Sequence, residues 1–248
     1  MNAETLETAP AQPEPRGHDV LMFGNFGAGK SLLLSCISGM PFQSGISFLS
    51  GLTSQMCFQP PAQGTHFGDM DYRFGDTPAL IDYKMAENAA VEIHKALNDS
   101  AANGRVLKIY FVMTTSAGQV QTSDLYTIKL VLDSIRLLDD QPLQPNSYAV
   151  IINKCSTHFL NHEDWQQEFM NMFMTPSKIV PHTTDNVLFL PVHDKLIDAD
   201  NAFAEFPALV QHIMTFPGIP AIASAENIDV SNLRMKLAEA GELRRASR

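Results

Sequence analysis

The sequence predicts an α/β fold in three layers, with a mostly parallel, doubly wound sheet and helices on both of its faces. Three segments rich in apolar and β-branched residues are typical of buried parallel strands: Val106–Met113, Tyr148–Asn153 and Val187–Pro191. Between the first two, apolar residues recur at helical spacing over Thr122–Leu138, and the Thr-Ser pair that opens this segment supplies a cap. Strand and helix therefore alternate, and a sheet of this kind binds its ligand at the carboxyl ends of the strands.

The first strand and the first helix flank a glycine-rich motif of the form G-x-x-x-x-G-K-[ST]. The strand is the apolar run Val20–Phe23, and the helix contains Leu32–Ile37, which has no proline. Such a loop cradles phosphates with backbone N–H groups, its lysine reaches the β/γ-phosphates, and its last hydroxyl binds Mg²⁺. Lys30 is therefore a predicted catalytic residue and Ser31 a predicted metal ligand of a P-loop NTPase. The predicted nucleotide-binding residues here are Gly24, Asn25, Phe26, Gly27, Ala28, Gly29, Lys30, Ser31 and Leu32.

Composition and charge argue against several classes of function. The 248 residues carry 17 Lys and Arg against 27 Asp and Glu, a net charge of −10, which makes nucleic acid an unfavourable partner. Three cysteines are too few for a disulfide framework or a four-ligand zinc site, and we expect reduced thiols in a cytoplasmic protein. We expect no membrane span and no signal peptide, because no segment reaches roughly 18 apolar residues and the first residues are acidic and proline-rich.

Three parts are expected along the chain. Residues 1–17 combine prolines with glutamates and have almost nothing to bury, which predicts a disordered lead-in. The nucleotide-binding domain is predicted to span residues 18–222. Residues 223–248 form a predicted helical tail, in which Ile228, Leu233 and Leu237 are spaced roughly along one helix face.

Two later segments are predicted to complete the phosphate and metal site. Asp76 opens an Asp-Thr-Pro-Ala segment; its carboxylate can hold Mg²⁺ through water, while the backbone N–H of Ala79 senses the γ-phosphate. Thr53 lies in a loop rich in Ser and Gly and is predicted to close over Mg²⁺ and the γ-phosphate. Thr53 is thus the second predicted catalytic residue, and Thr53 and Asp76 join Ser31 as predicted metal ligands.

The base of the nucleotide is predicted to bind beyond two further strands. Asn153 and Lys154 lie at the end of the second predicted strand, where a guanine-reading segment would lie, and Ser156 occupies the last position of that segment. The amide of Asn153 and the stem of Lys154 are predicted to pack the base. His193 follows the third strand and is predicted to stack on it.

In combination, these motifs resemble those of the GIMAP (immunity-associated nucleotide-binding, IAN) GTPases, which are related to septins and Toc proteins. The resemblance covers about residues 18–200, and its spacing is far more specific than that of the phosphate loop alone. It implies a Ras-like G domain that binds GTP or GDP with Mg²⁺, hydrolyses GTP slowly, and forms a nucleotide-controlled homodimer through its nucleotide-binding face. The segments that carry it are Gly24–Ser31, Phe42–Gly45 with Thr53, Asp76–Ala79, Gln121–Asp124 and Asn153–Lys154.

Two positions depart from the family pattern. Ala79 replaces a glycine, and its Cβ restricts any switch of the backbone through positive φ. Ser156 replaces the aspartate that accepts two hydrogen bonds from guanine; a hydroxyl accepts one without charge assistance, which costs about 1–3 kcal/mol of discrimination against adenine. We therefore expect blunted switching and relaxed selectivity for GTP over ATP.

Two other interpretations stay open. A P-loop kinase acting on a small acceptor needs a lid with arginines near the phosphates, whereas Arg73, Arg105 and Arg136 are scattered along the chain. A degenerate G domain acting as a scaffold is favoured by Ala79 and Ser156 and opposed by the intact phosphate loop.

Overall fold

The computed structural model describes residues 16–42, 55–81, 85–115, 119–138, 141–177, 179–193, 204–220, 222–233 and 235–239. None of the helices in these ranges is long and apolar enough to cross a membrane. The elements follow one another as β1 (His18–Phe23), α1 (Lys30–Ser38), β2 (Cys57–Gln59), β3 (Tyr72–Asp76), α2 (Ala86–Ala102), β4 (Val106–Thr114), α3 (Thr122–Ser134), β5 (Ile135–Leu137), β6 (Tyr148–Cys155), α4 (Thr157–Leu160), α5 (Glu163–Met174), β7 (Val187–Pro191), α6 (Pro207–Thr215) and β8 (Ile222–Ala225).

A six-stranded sheet in the order β2-β3-β1-β4-β6-β7 forms the centre of the fold. β1 pairs in parallel with β3 and β4, and β6 and β7 continue the parallel arrangement. The edge strand β2 runs antiparallel to β3. The predicted parallel sheet is therefore confirmed. Because β1, β3, β4, β6 and β7 are parallel, the loops that follow them all leave the sheet on the same side, which is its carboxyl edge.

Helices cover both faces of this sheet. Along β1, Leu21 and Phe23 belong to one hydrophobic cluster and Val20 and Met22 to the other, as the two-residue period of a strand requires. The first cluster includes residues of α2 and α3: Ala89, Ile93, Leu97, Leu125, Ile128 and Val131. The second includes residues of α1 and α6: Leu33, Leu34, Ile37, Leu209, Val210 and Ile213. The predicted three-layer fold is confirmed.

Helix α3 differs from its prediction at both ends. Its N-cap is Gln121, which makes no side-chain capping hydrogen bond, rather than the Thr-Ser pair. The predicted helix to Leu138 was too long, because α3 ends at Ser134 and the next residues form β5, which pairs antiparallel with β8. Ile135 is β-branched, and the ladder to a strand far along the chain outweighs the local helical spacing.

Strand β8 lies across the predicted boundary between domain and tail at residue 222. Beyond it, Ile228 and Leu233 are buried, and Ile228 belongs to the same hydrophobic cluster as α2 and α3. Residues 235–239 are helical. The division into domain and tail stays a prediction, and residues 1–15, most of the predicted lead-in, are outside the described residues.

A buried ion network stabilises the amino-terminal edge of the sheet. Asp19 on β1 is 0% exposed and accepts hydrogen bonds from Arg73 at 2.8 and 2.6 Å, from Arg105 at 2.6 Å and from Ser100 at 2.6 Å. Arg105 also forms an ion pair with Asp71 at 2.7 Å. The network thus joins β1, β3, α2 and the residue that precedes β4, at the edge opposite the phosphate loop.

Candidate functional site

The phosphate loop connects the end of β1 with the first turn of α1, as its motif predicts. Its backbone is held in conformations that favour glycine, with φ of 148° at Gly24 and 96° at Gly29. A Cβ at Gly24 would lie 2.0 Å from the carbonyl oxygen of Val112, and one at Gly29 would lie 2.6 Å from Nδ2 of Asn153. Glycine is therefore required at both positions by conformation and by close packing.

The side chain of Lys30 is folded back across this loop. Lys30 is buried, and its Nζ donates to the carbonyl oxygens of Gly24 at 3.0 Å and Asn25 at 3.4 Å. Burial lowers the pKa of Lys30, whereas the charges of Asp76 and Asp124 act to raise it. The loop thus holds a largely desolvated cation that an anion in the loop would stabilise.

A hydroxyl and a carboxylate meet beside the loop. Ser31 Oγ donates to Asp76 Oδ2 at 2.6 Å, and Asp76 is buried at the end of β3. The next residue, Thr77, donates to the carbonyl oxygen of Met22 at 2.7 Å, which ties this segment to β1. Oxygen donors of these two kinds suit Mg²⁺, so the residues present fit the predicted metal.

Two further residues, Ala79 and Thr53, are predicted to contact the γ-phosphate, and the structure describes only the first of them. Ala79 is buried in the turn after β3, together with Leu80, which is 1% exposed. Thr53 lies outside the described residues.

The predicted base-binding segment is bonded directly to the phosphate loop. Asn153 Nδ2 donates to the carbonyl oxygen of Ala28 at 2.9 Å, and Lys154 Nζ donates to that of Gly27 at 2.8 Å. Lys154 has a left-handed φ of 59°, and its N–H donates to Asn153 Oδ1 at 2.9 Å. Two segments more than a hundred residues apart in the chain are thus joined at the carboxyl edge of the sheet.

Ser156 has a structural role at this point. It is the N-cap of α4, and its Oγ accepts a hydrogen bond from the backbone N–H of Phe159 at 3.2 Å. One lone pair of the hydroxyl is therefore already in use, and at most one further acceptor position is available to a base.

His193 is half-buried after β7, where it lies edge-to-face against Phe206 with ring centroids 5.9 Å apart. It lines a cleft of about 840 Å³ together with Cys36 and Ile37 of α1 and residues at the start of α6. Val192 N–H donates to the carbonyl oxygen of Cys155 at 3.1 Å, which keeps this segment beside the end of β6. Stacking of His193 on a base stays a prediction.

The sequence analysis missed a polar contact behind the phosphate loop. Asn25 Nδ2 donates to Ser123 Oγ at 2.9 Å and to Asp124 Oδ1 at 2.5 Å, both in the first turn of α3. Asp124 is 4% exposed, and burial raises its pKa to about 7. The one signal in the sequence was a polar residue, Asn25, at the first unspecified position of the G-x-x-x-x-G-K-[ST] motif. Its partner Asp124 is 99 residues away in the chain, so the contact could not be predicted from that signal.

Solved structures of other proteins are similar in fold to this chain, although its sequence matches no known family. No protein-family model matches the chain, and no curated protein matches it significantly. Toc33 from Arabidopsis thaliana, in complex with GDP and Mg²⁺, is 13% identical with a TM-score of 0.52, over 84% of this chain and 88% of that one. A dimerization-deficient mutant of Toc33 gives a TM-score of 0.51 at 13% identity, over 82% and 85% of the two chains.

Era from Aquifex aeolicus, bound to GDP·AlF4−, is 17% identical with a TM-score of 0.49. The match covers 81% of this chain and 56% of Era, so the chain spans just over half the length of that protein. At these identities, the likeness to Toc33 shows the fold. This chain has the Ras-like P-loop G-domain fold.

Proposed function

We propose that this protein binds GTP with Mg²⁺, hydrolyses it slowly and acts as a nucleotide-controlled switch or assembly module. The observation that carries the proposal is the convergence of three segments at one sheet edge. The phosphate loop holds Lys30, the end of β3 brings Asp76 to Ser31, and Asn153 and Lys154 are bonded to the loop from the base side. Phosphate, metal and base contacts are thus available in one continuous site.

The residues divide the work of binding and catalysis. Lys30 stabilises the charge that develops on the transferred phosphoryl group, while the loop N–H groups hold the phosphates in place. Ser31 and Asp76, with Thr53 from the predicted set, would hold Mg²⁺, and the metal would neutralise charge on the phosphate oxygens. Leu80, an apolar and buried side chain, follows Ala79 where a polar residue could orient the attacking water, which supports slow unaided hydrolysis.

The first test of the proposal is to measure the affinities for non-hydrolysable GTP and ATP analogues by calorimetric titration, with and without Mg²⁺. We expect Mg²⁺-dependent binding with a modest preference for the guanine analogue, because Ser156 can accept one hydrogen bond from a base. Ser156→Asp should raise that preference by about 5- to 150-fold, the equivalent of about 1–3 kcal/mol.

Ser156→Asn is the matched control, since asparagine also caps α4 but carries no charge. Its selectivity should stay close to that of the wild type. A failure of Ser156→Asp to improve selectivity contradicts the placement of the base, and the absence of any nucleotide binding favours the scaffold interpretation.

The proposal also includes self-association, in which two copies of the chain meet through their nucleotide-binding faces. Phe26, in the phosphate loop, is 50% exposed, and a large apolar side chain at this edge suits contact with a second copy of the chain. We expect the specific rate of GTP hydrolysis to rise with protein concentration as two such faces meet. A rate that stays constant over a hundredfold dilution series, measured with light scattering in parallel, would exclude catalytic dimerization.

The resemblance to GIMAP GTPases supports this reading of the site residue by residue, and membership of that family remains part of the proposal. The divisions at residues 18 and 222 are likewise proposed. Within the described residues, the kinase alternative lacks support because Arg73 and Arg105 bind Asp19 at the opposite sheet edge.

A further inference from the structure

The contact between the phosphate loop and the start of α3 joins the half-buried side chains of Asn25 and Ser123 to the buried carboxyl of Asp124, and the proposed chemistry uses none of these three side chains. Asn25 is bonded to Ser123 and Asp124, which lie 98 and 99 residues further along the chain. Asp124 is 4% exposed. An ionised carboxylate in such a place carries a desolvation penalty, and it lies close to a loop that receives a polyanion.

We propose that Asp124 is a positioning residue of the phosphate loop, which it holds through the Asn25 amide, and that it takes up a proton when polyphosphate binds. This inference deepens the proposed function and rests on it for the identity of the natural ligand. The shared chemistry is a chain of phosphates in the loop, whichever base is attached.

The charges around Asp124 determine the direction of this coupling. Among the described residues, Lys30 at the start of α1 faces Asp124, and Asp76 at the end of β3 attracts the same lysine. The other partners of Asp124 are neutral: the Asn25 amide and the backbone N–H of Gln121. Phosphates that engage Lys30 reduce its support for the Asp124 charge and add negative charge nearby, so both effects favour the neutral acid.

Asn25 is suited to both protonation states of its partner. An amide donates through its NH₂ group to a carboxylate and accepts through its oxygen from a protonated acid. Asn25 Oδ1 is buried and has no hydrogen-bond partner in the described part of the chain. Rotation of the amide would present that oxygen to a protonated Asp124 without any movement of the backbone.

The coupling has a defined pH window. Burial raises the pKa of Asp124 in the free protein to about 7. Below this pH the acid is already neutral and affinity does not depend on its titration. Above it, binding must take up a proton, so affinity falls as pH rises, by up to about tenfold per pH unit for one proton.

The test is calorimetric titration with the Mg²⁺ complex of a non-hydrolysable GTP analogue, and separately with inorganic tripolyphosphate, in two buffers of different ionisation enthalpy. We expect the wild type to take up a fraction of a proton at pH 7–8 in excess of Asp124→Asn. The comparison with that variant removes the contribution of the terminal phosphate, which titrates in the same range. As pH rises above 7, the affinity of Asp124→Asn for these ligands should fall less steeply than the affinity of the wild type.

Two further variants separate positioning from simple packing. Asp124→Leu removes the anchor of Asn25 and should weaken binding about tenfold below pH 7, where Asp124 of the wild type is already neutral, and its affinity should lack the fall with pH that Asp124 causes. Asp124→Asn keeps a partner for the amide. Ser123→Ala keeps the carboxylate and should keep the proton uptake. Thermal unfolding of each variant shows whether the protein titrated is folded.

The outcomes distinguish this inference from the proposed function. Equal proton uptake by the wild type and Asp124→Asn overturns the inference and leaves GTP binding intact. Binding of tripolyphosphate with Asp124-dependent proton uptake, without binding of the GTP analogue, supports the inference and contradicts the proposed function. Binding of neither ligand overturns both.

Discussion

Lys30→Ala should abolish detectable triphosphate binding and leave the fold intact. The Lys30 ammonium is buried and bonded to two carbonyl oxygens of the phosphate loop, where a bound phosphate would place an anion in direct contact with this cation. Loss of one partner of a buried, hydrogen-bonded charge pair costs about 2–5 kcal/mol, or roughly 30- to 5,000-fold in Kd. The measurement is titration of the variant with the GTP analogue and Mg²⁺.

Lys95→Ala is the control for loss of a positive charge. The Lys95 side chain is 65% exposed and pairs with Glu92 on the surface of α2, so its removal should leave nucleotide affinity unchanged. Stability should not fall in Lys30→Ala, because burial of the lysine charge is itself unfavourable. Unaltered nucleotide binding by Lys30→Ala contradicts the assignment of the loop, and retained partner binding without nucleotide binding supports the scaffold alternative.

The largest expected loss of stability comes from Asp19→Ala. Asp19 is fully buried and balances the guanidinium groups of Arg73 and Arg105, so its truncation removes the buried carboxylate that these two cations share. Breaking a buried ion pair on one side costs about 3–5 kcal/mol. Urea unfolding should show this as a lower midpoint at an unchanged slope.

Asp99→Ala is the matched control in the same network. The Asp99 side chain is 47% exposed and pairs with Arg73 at 2.8 Å, and an exposed pair of this kind contributes about 1 kcal/mol or less. The folded fraction of Asp19→Ala should bind nucleotide normally, because the network lies at the sheet edge opposite the phosphate loop. Equal effects of the two variants would contradict the role assigned to burial.

Much of the fold follows from local pattern. The run from Val187 to Pro191 is a strand with the predicted bounds. Strands β4 and β6 are longer than predicted by one and two residues at their carboxyl ends, and β1 begins two residues earlier than predicted. Their side chains are mostly apolar on both faces, and this pattern can be read from residues that are neighbours in the sequence. The end of α3 could not be predicted in this way, since Ile135 pairs with Ala225 of β8.

In the candidate site, too, some features follow from local sequence and others only from the tertiary structure. The amino-acid sequence by itself determined the phosphate loop, because glycine, lysine and serine at fixed short spacing are a local chemical pattern. Only the tertiary structure decided that Lys154 binds Gly27 and that Asn25 binds Asp124. These contacts join parts of the chain that meet because parallel strands end at one edge of the sheet, and local pattern carries no record of such distant neighbours.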